Sequence, residues 1–177
     1  MDSCSGPTIS VIVPVYNGRP AFDICLSSLR RAVWPPHEII VVGDGDTDGS
    51  TRMAEEYGAR VLRWPTRGGP ARARNTGASV AQGEILFFVD ADVAVRPDAL
   101  KQVLDAFRSE PQLAALFGSY DDAPSETDFL SQYKNLMHHY VHQTGRKEAF
   151  TFWAGCGAVR RDLFLDVGGF DERWRDR

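Results

Sequence analysis

Two aspartates separated by one residue, Asp90 and Asp92, close a run of five apolar residues, Ile85-Leu86-Phe87-Phe88-Val89. Carboxylates at i and i+2 of an extended segment project to the same side. Paired hard oxygen ligands with open positions suit Mg²⁺ or Mn²⁺ bridging phosphate oxygens. An Asp-x-Asp by itself is equally what a turn or a helix cap contains. Position decides between the two, because acids at the end of a buried strand need a compensating charge. Asp90 and Asp92, with Ala91 between them, are therefore expected to act as a metal-assisted diphosphate clamp.

A second acidic cluster, Asp44, Asp46, Asp48, Gly49 and Glu55, meets the defining spacings of an EF-hand calcium loop. Such a loop follows an amphipathic helix, whereas this one follows Pro35-Pro36 and the β-branched run 38–42. Arg52 also places a positive charge in the ligand region. The favoured reading is a strand-to-helix turn whose acids meet a nucleotide or cap the helix. A calcium-binding module built on Asp44 to Glu55 stands as the non-enzymatic rival.

Positive charge concentrates at Arg60, Arg63, Arg67, Arg72 and Arg74. Arg72 and Arg74 point in different directions on a helix, so they cannot face one phosphate equally. Gly68-Gly69-Pro70 suits a helix start whose N–H groups can meet an anion. His138 and His142 share a helix face at a zinc-competent spacing, but no acid completes an HExxH pattern, so they are expected to line a surface or cleft. Cys156, between Gly155 and Gly157, has no evident activating partner and reads as a small buried residue. Trp153 can belong to the core or offer a flat apolar face to a sugar ring.

Positioning these residues falls to short β-branched or aromatic runs that alternate with segments of helical period. Strands are expected at 8–15, 38–42, 60–64, 85–89 and 113–117, with a further strand and turn at 150–157. Helices fill the intervals, including a long amphipathic one marked by Phe129, Tyr133, Leu136, Met137 and Tyr140. The unbroken apolar character of 85–89 predicts a central strand covered on both faces. The fold expected is α/β, an open, mostly parallel twisted sheet with helices on both faces. Ligands of such sheets bind outside the C-terminal strand ends. There Pro14, Tyr16 and Asn17, the Asp44–Asp48 turn, and Asp90–Asp92 would share one pocket.

The 177 residues, 43% hydrophobic and 25% charged, suit a single domain with one sizeable core. A net charge of −4 gives no general attraction to nucleic acid or anionic membranes. Three scattered cysteines, Cys4, Cys25 and Cys156, argue against a disulfide framework and fit a cytoplasmic setting. No run approaches the roughly 20 apolar residues of a membrane-spanning helix, and the N-terminus lacks the basic leader of a signal peptide.

Taken in order, Ser10-Val11-Ile12-Val13-Pro14-Val15-Tyr16-Asn17, Val42-Gly43-Asp44-Gly45, Ala73-Arg74-Asn75-Thr76-Gly77 and Phe88-Val89-Asp90-Ala91-Asp92 closely resemble the family-2 glycosyltransferases of GT-A fold. Trp153-Ala154-Gly155-Cys156-Gly157 and Gly168-Gly169-Phe170-Asp171-Glu172 resemble that family's acceptor-side segments. The resemblance covers about Ser10 to Glu172, with 1–92 as the nucleotide-binding half and 93–177 as the acceptor-side half. It implies inverting, metal-dependent transfer of a sugar from a nucleoside diphosphate, a UDP-sugar by preference, to an acceptor hydroxyl. Tyr16 would lie near the base, Asp44 would accept a hydrogen bond from it, and Asp92 would be the likeliest direct metal ligand. Gly43-Asp44 replaces the family's usual aspartate pair, which leaves base preference open. The family's catalytic base lies a little beyond the Gly-Gly-Phe-Asp-Glu segment, past Arg177, and none of Asp171, Glu172 and Asp176 is assigned that role. Membrane association would then come through regions outside this chain, at the inner face of the membrane. The enzymatic rival is a sugar-nucleotide nucleotidyltransferase, although Tyr16-Asn17-Gly18 is a poor match for a glycine-rich basic phosphate loop.

Overall fold

A computed structural model of the chain describes residues 6–122, 128–145, 148 and 151–173. Elements alternate as β1 (Ile9–Val15), α1 (Ala21–Arg30), β2 (Glu38–Asp44), α2 (Ser50–Glu56), β3 (Arg60–Trp64), α3 (Pro70–Val80), β4 (Ile85–Val89) and α4 (Ala99–Ser109). They continue with β5 (Ala115–Phe117), α5 (Phe129–Thr144), β6 (Cys156–Arg160) and α6 (Arg161–Asp166). The sheet order is β3-β2-β1-β4-β6-β5. β3, β2, β1 and β4 pair in parallel, and β6 runs antiparallel to both β4 and β5.

Alternation of side chains along the central strands explains why helices lie on both faces. Val11, Val13, Val41, Phe87 and Val89 pack with Phe22, Leu26 and Leu29 of α1 and with Leu100, Leu104 and Phe107 of α4. Ile12, Ile40, Val42, Leu86 and Phe88 face the other way, onto Ala73 and Ala78 of α3 and Phe164 of α6. Small residues on α3 let it sit close to the sheet. A Cβ on Gly77 would come within 2.5 Å of Ile12 Cγ2.

Two expectations need correction. The strand anticipated at 150–157 begins only at Cys156, and residues 151–155 form an irregular, turning segment, while Phe150 lies outside the described residues. The aromatic signal there came from packing, since the Phe152 ring meets Phe88 and Phe170 at 6.3 Å. The Asp90–Asp92 segment is not extended. Val93 N donates to Asp90 O at 3.0 Å, so the chain turns directly after β4.

The long amphipathic helix expected around Phe129, Tyr133 and Tyr140 is α5. Although amphipathic, it buries none of its residues, and Phe129 is 83% exposed. Its polar residues turn inward instead. Asn135 Nδ2 donates to Asp121 O at 2.8 Å, His139 Nδ1 lies 2.6 Å from Tyr120 O, and Gln143 Nε2 donates to Ser119 Oγ at 3.2 Å. Among the described residues no helix is long and apolar enough to cross a membrane.

Candidate functional site

The loops that follow β1 and β2 are tied together. Asn17, in the left-handed region at φ 48°, accepts from Thr47 N at 2.8 Å through Oδ1. Gly18 N donates to Ser50 Oγ at 3.1 Å, and Arg19 N donates to Asp48 Oδ2 at 3.1 Å. These bonds fix Tyr16, exposed at the tip of β1, beside the loop that follows β2.

Asp44 is only 4% exposed, and its two oxygens accept from Gly68 N and Gly69 N, each at 2.7 Å. Its carboxylate therefore anchors the turn that opens α3. Gly45 must be glycine for the same approach, because its φ is 81° and a Cβ would lie 2.9 Å from Arg67 N. The other acids of this loop diverge. Asp46 accepts from Thr51, Asp48 from Ser50 and Arg19, and Glu55 pairs with Arg63 at 2.9 Å. With each carboxylate turned to a different partner, the calcium-loop spacing in the sequence does not become a coordination shell. Burial raises the Asp48 carboxyl, but hydrogen bonds from Ser50 and Arg19 outweigh it and hold it below its ordinary 3.8.

Of the arginines, Arg67 lies over the Tyr16 ring, 4.6 Å from its centroid, and Arg72 over Trp64 at 4.0 Å. Arg74, on α3, forms an ion pair with Asp90 across the end of β4. Asp92 is exposed beyond it. The two aspartates thus have separate environments, one paired to a cation and one open to solvent. Asn75, next on α3, grips the segment after α6. Its amide nitrogen donates to Phe170 O and Glu172 Oε1, and its oxygen accepts from Phe170 N, all at 2.9 Å.

The opposite flank is aromatic. A Cβ on Gly155 would lie 2.9 Å from Trp153 Nε1 and 3.1 Å from Asp90 Oδ2, so the glycine lets the indole and the carboxylate approach. Trp153 contacts His138, His142 and Tyr120, with ring centroids 5.3, 5.7 and 6.3 Å away. The Tyr120 hydroxyl is raised above its ordinary value by burial and then by Asp92 and Asp90. Burial pushes the Cys156 thiol up to about 11 and the Cys25 thiol to about 12, with nearby carboxylates adding to both. Neither is a thiolate nucleophile at neutral pH. Tyr120 and Arg67 were not singled out as site residues by sequence, because partners distant along the chain give each its place.

A divalent cation fits the donor set here. Asp92 offers an open hard-oxygen ligand beside the Arg74-bound Asp90, the sparse protein ligation suited to Mg²⁺ or Mn²⁺ shared with phosphates. Among the described residues no cluster of three or more acidic, histidine or cysteine side chains forms a complete protein cage. Asp171 pairs with Arg173, Glu172 accepts from Asn75, and Asp176 lies outside the described residues.

Comparison with known proteins identifies the family. Residues 10–168 match the family model described as glycosyl transferase family 2. The uncharacterized glycosyltransferase EpsJ of Bacillus subtilis is 42% identical over 90 residues, covering 49% of this chain and 26% of EpsJ. Residues 1–349 of S. aureus TarS in complex with UDP superpose with a TM-score of 0.73 at 26% identity, over 96% of this chain and 52% of that one. The mannosyltransferase PcManGT of Pyrobaculum calidifontis, in complex with GDP-Man and Mn²⁺, also gives 0.73, at 25% identity and 96% and 49% coverage. The chain thus spans about half the length of these solved structures and a quarter of EpsJ. With the family model matched over nearly all of its length, on a sheet whose neighbours are GT-A glycosyltransferases, the chain belongs to glycosyl transferase family 2.

Proposed function

We propose that this chain forms the donor-binding part of an inverting, metal-dependent glycosyltransferase that takes a nucleoside-diphosphate sugar, a UDP-sugar by preference. The observation that carries the reading is the pair of aspartates at the end of β4, with Asp90 bound to Arg74 and Asp92 open beside it. Pro14, Tyr16 and Asn17 would border the base and ribose, and Arg67, which lies over Tyr16, would face the phosphates beside the turn that Asp44 holds. The complexes of TarS with UDP and of PcManGT with GDP-Man and Mn²⁺ support a nucleotide donor of this kind.

Asp92, with Asp90 behind it, would hold Mg²⁺ or Mn²⁺. The bound cation supplies neutralisation of the charge that develops on the departing diphosphate. The Arg74 guanidinium fixes the direction of the Asp90 carboxylate. Asp44 holds the α3 turn in place while the donor binds. Ala91, Trp153, Gly155 and Cys156 would border the reacting end of the sugar, where the acceptor oxygen would bond to the anomeric carbon as the bond to the diphosphate breaks with inversion, the hydroxyl proton passing to a general base. Neither Asp171 nor Glu172 is assigned as the base.

Calorimetric titration with UDP-sugars, GDP-mannose and dTDP-sugars, with and without Mn²⁺, tests the reading. Binding should require the metal and disappear in Asp92→Ala. Metal-independent binding, or unchanged binding in that variant, rejects it.

A further inference from the structure

α5 carries its polar face inward, which brings two of its histidines against Trp153 on the acceptor flank. Tyr120 stacks on His138 at 5.3 Å and lies edge-on to Trp153. The Asn135, His139 and Gln143 contacts to residues 119–121 fix the helix in this position. The result is a wall of four rings in which Trp153 and Tyr120 stay 39% and 37% exposed.

Charge is segregated across the site. Arg67, Arg72 and Arg74 lie on the donor flank and are engaged with Tyr16, Trp64 and Asp90. Among the described residues no lysine or arginine joins the ring contacts of Trp153. Asp90 Oδ2 lies across Gly155 from the Trp153 indole, and the Asp92 and Asp90 carboxylates act on the Tyr120 hydroxyl. The His142 pKa is lowered by burial and then by His138 and His139, and its Nδ1 has no hydrogen-bond partner. With Asp90 offset by Arg74, a phosphorylated acceptor would meet the open carboxylate of Asp92 and, among the described residues, no lysine or arginine in ring contact with Trp153. A pyranose fits better, since its C–H face suits an aromatic ring and its hydroxyls suit imidazole and phenol groups.

Resting on the glycosyl-transfer reading, we propose that the acceptor is an uncharged sugar ring, seated on Trp153 and bordered by Tyr120, His138 and His142. NMR titration of the indole and imidazole signals with methyl β-D-glucopyranoside and, separately, glucose 6-phosphate tests this, with UDP and Mn²⁺ titrated in parallel. The neutral glycoside should shift the Trp153, His138 and His142 signals at millimolar concentration, and glucose 6-phosphate should bind about tenfold more weakly. Trp153→Ala should weaken glycoside binding about tenfold, and Trp153→Phe, which keeps a ring, should restore most of it. If Trp153→Ala does not fold, Tyr120→Leu should show the same weakening. Equal or tighter binding of glucose 6-phosphate overturns the proposal, as does a chain that binds UDP and Mn²⁺ but shows no glycoside shift at these rings. Failure to bind UDP as well would instead remove the transfer reading on which the proposal stands.

Discussion

Asp44 illustrates how a single buried carboxylate can organise the turn that opens a neighbouring helix. Its burial is tolerable because both oxygens receive backbone N–H groups, a charge-assisted arrangement that also satisfies two donors at the head of α3. Asp44→Asn keeps the shape but turns an amide NH₂ toward one of those donors. Such a change should cost about 2 kcal/mol of folding stability, read as a lower urea midpoint, and should weaken nucleotide binding as the Gly68–Gly69 turn loosens. A midpoint equal to that of the native chain would show that the anchor is dispensable. Sequence marked Asp44 as important and gave it a nucleobase to bind. The two backbone donors belong to residues 24 and 25 positions away, and no local pattern announces such a contact.

Among the elements, β6 is the one whose start depends most on a close approach. A Cβ on Gly157 would stand 2.5 Å from Trp153 O, a backbone atom that cannot move without displacing the 151–155 turn. Gly157→Ala should therefore lower stability by about 1–3 kcal/mol, seen as a reduced melting temperature. An unchanged melting temperature would mean that the turn has slack. Strand propensity placed this element several residues early, because Phe152 and Trp153 have β-forming side chains that pack without a ladder. β1, β2, β3 and β4 were legible because each is a short β-branched or aromatic run, and β4 also because continuous apolarity matches burial on two faces. The amphipathic period of α5 was legible too. Its orientation was not, because periodicity gives two faces and the contacts of residues 119–121 select the polar one.

For the whole molecule, titration offers a check on how the two flanks are held. His142 has a folded pKa below its ordinary 6.5, caused by burial and then by His138 and His139, so the unfolded chain binds the proton more readily. Its contribution is intact above 6.5 and is lost as pH falls through that value toward the lower folded one. Asp48, held below 3.8, acts in the same direction at more acidic pH, where its stabilising bonds are lost on protonation. Urea midpoints should therefore decline on acidification from neutral pH, and His142→Phe should flatten the first part of that decline. A decline of the same slope in the variant would assign it to other groups. The sequence by itself determined the α/β class, the central buried strand and the positions that lie at strand ends, since hydrophobic period and turn residues are local properties. Its ordered segments also carried the resemblance to family-2 glycosyltransferases. The tertiary structure decided that Asp90 pairs with Arg74 while Asp92 stays open, that Asp44 anchors α3, and that Tyr120, His138, His142 and Trp153 meet. Spacing along the chain cannot encode these outcomes, because each is a distance across the sheet end set by packing of remote segments.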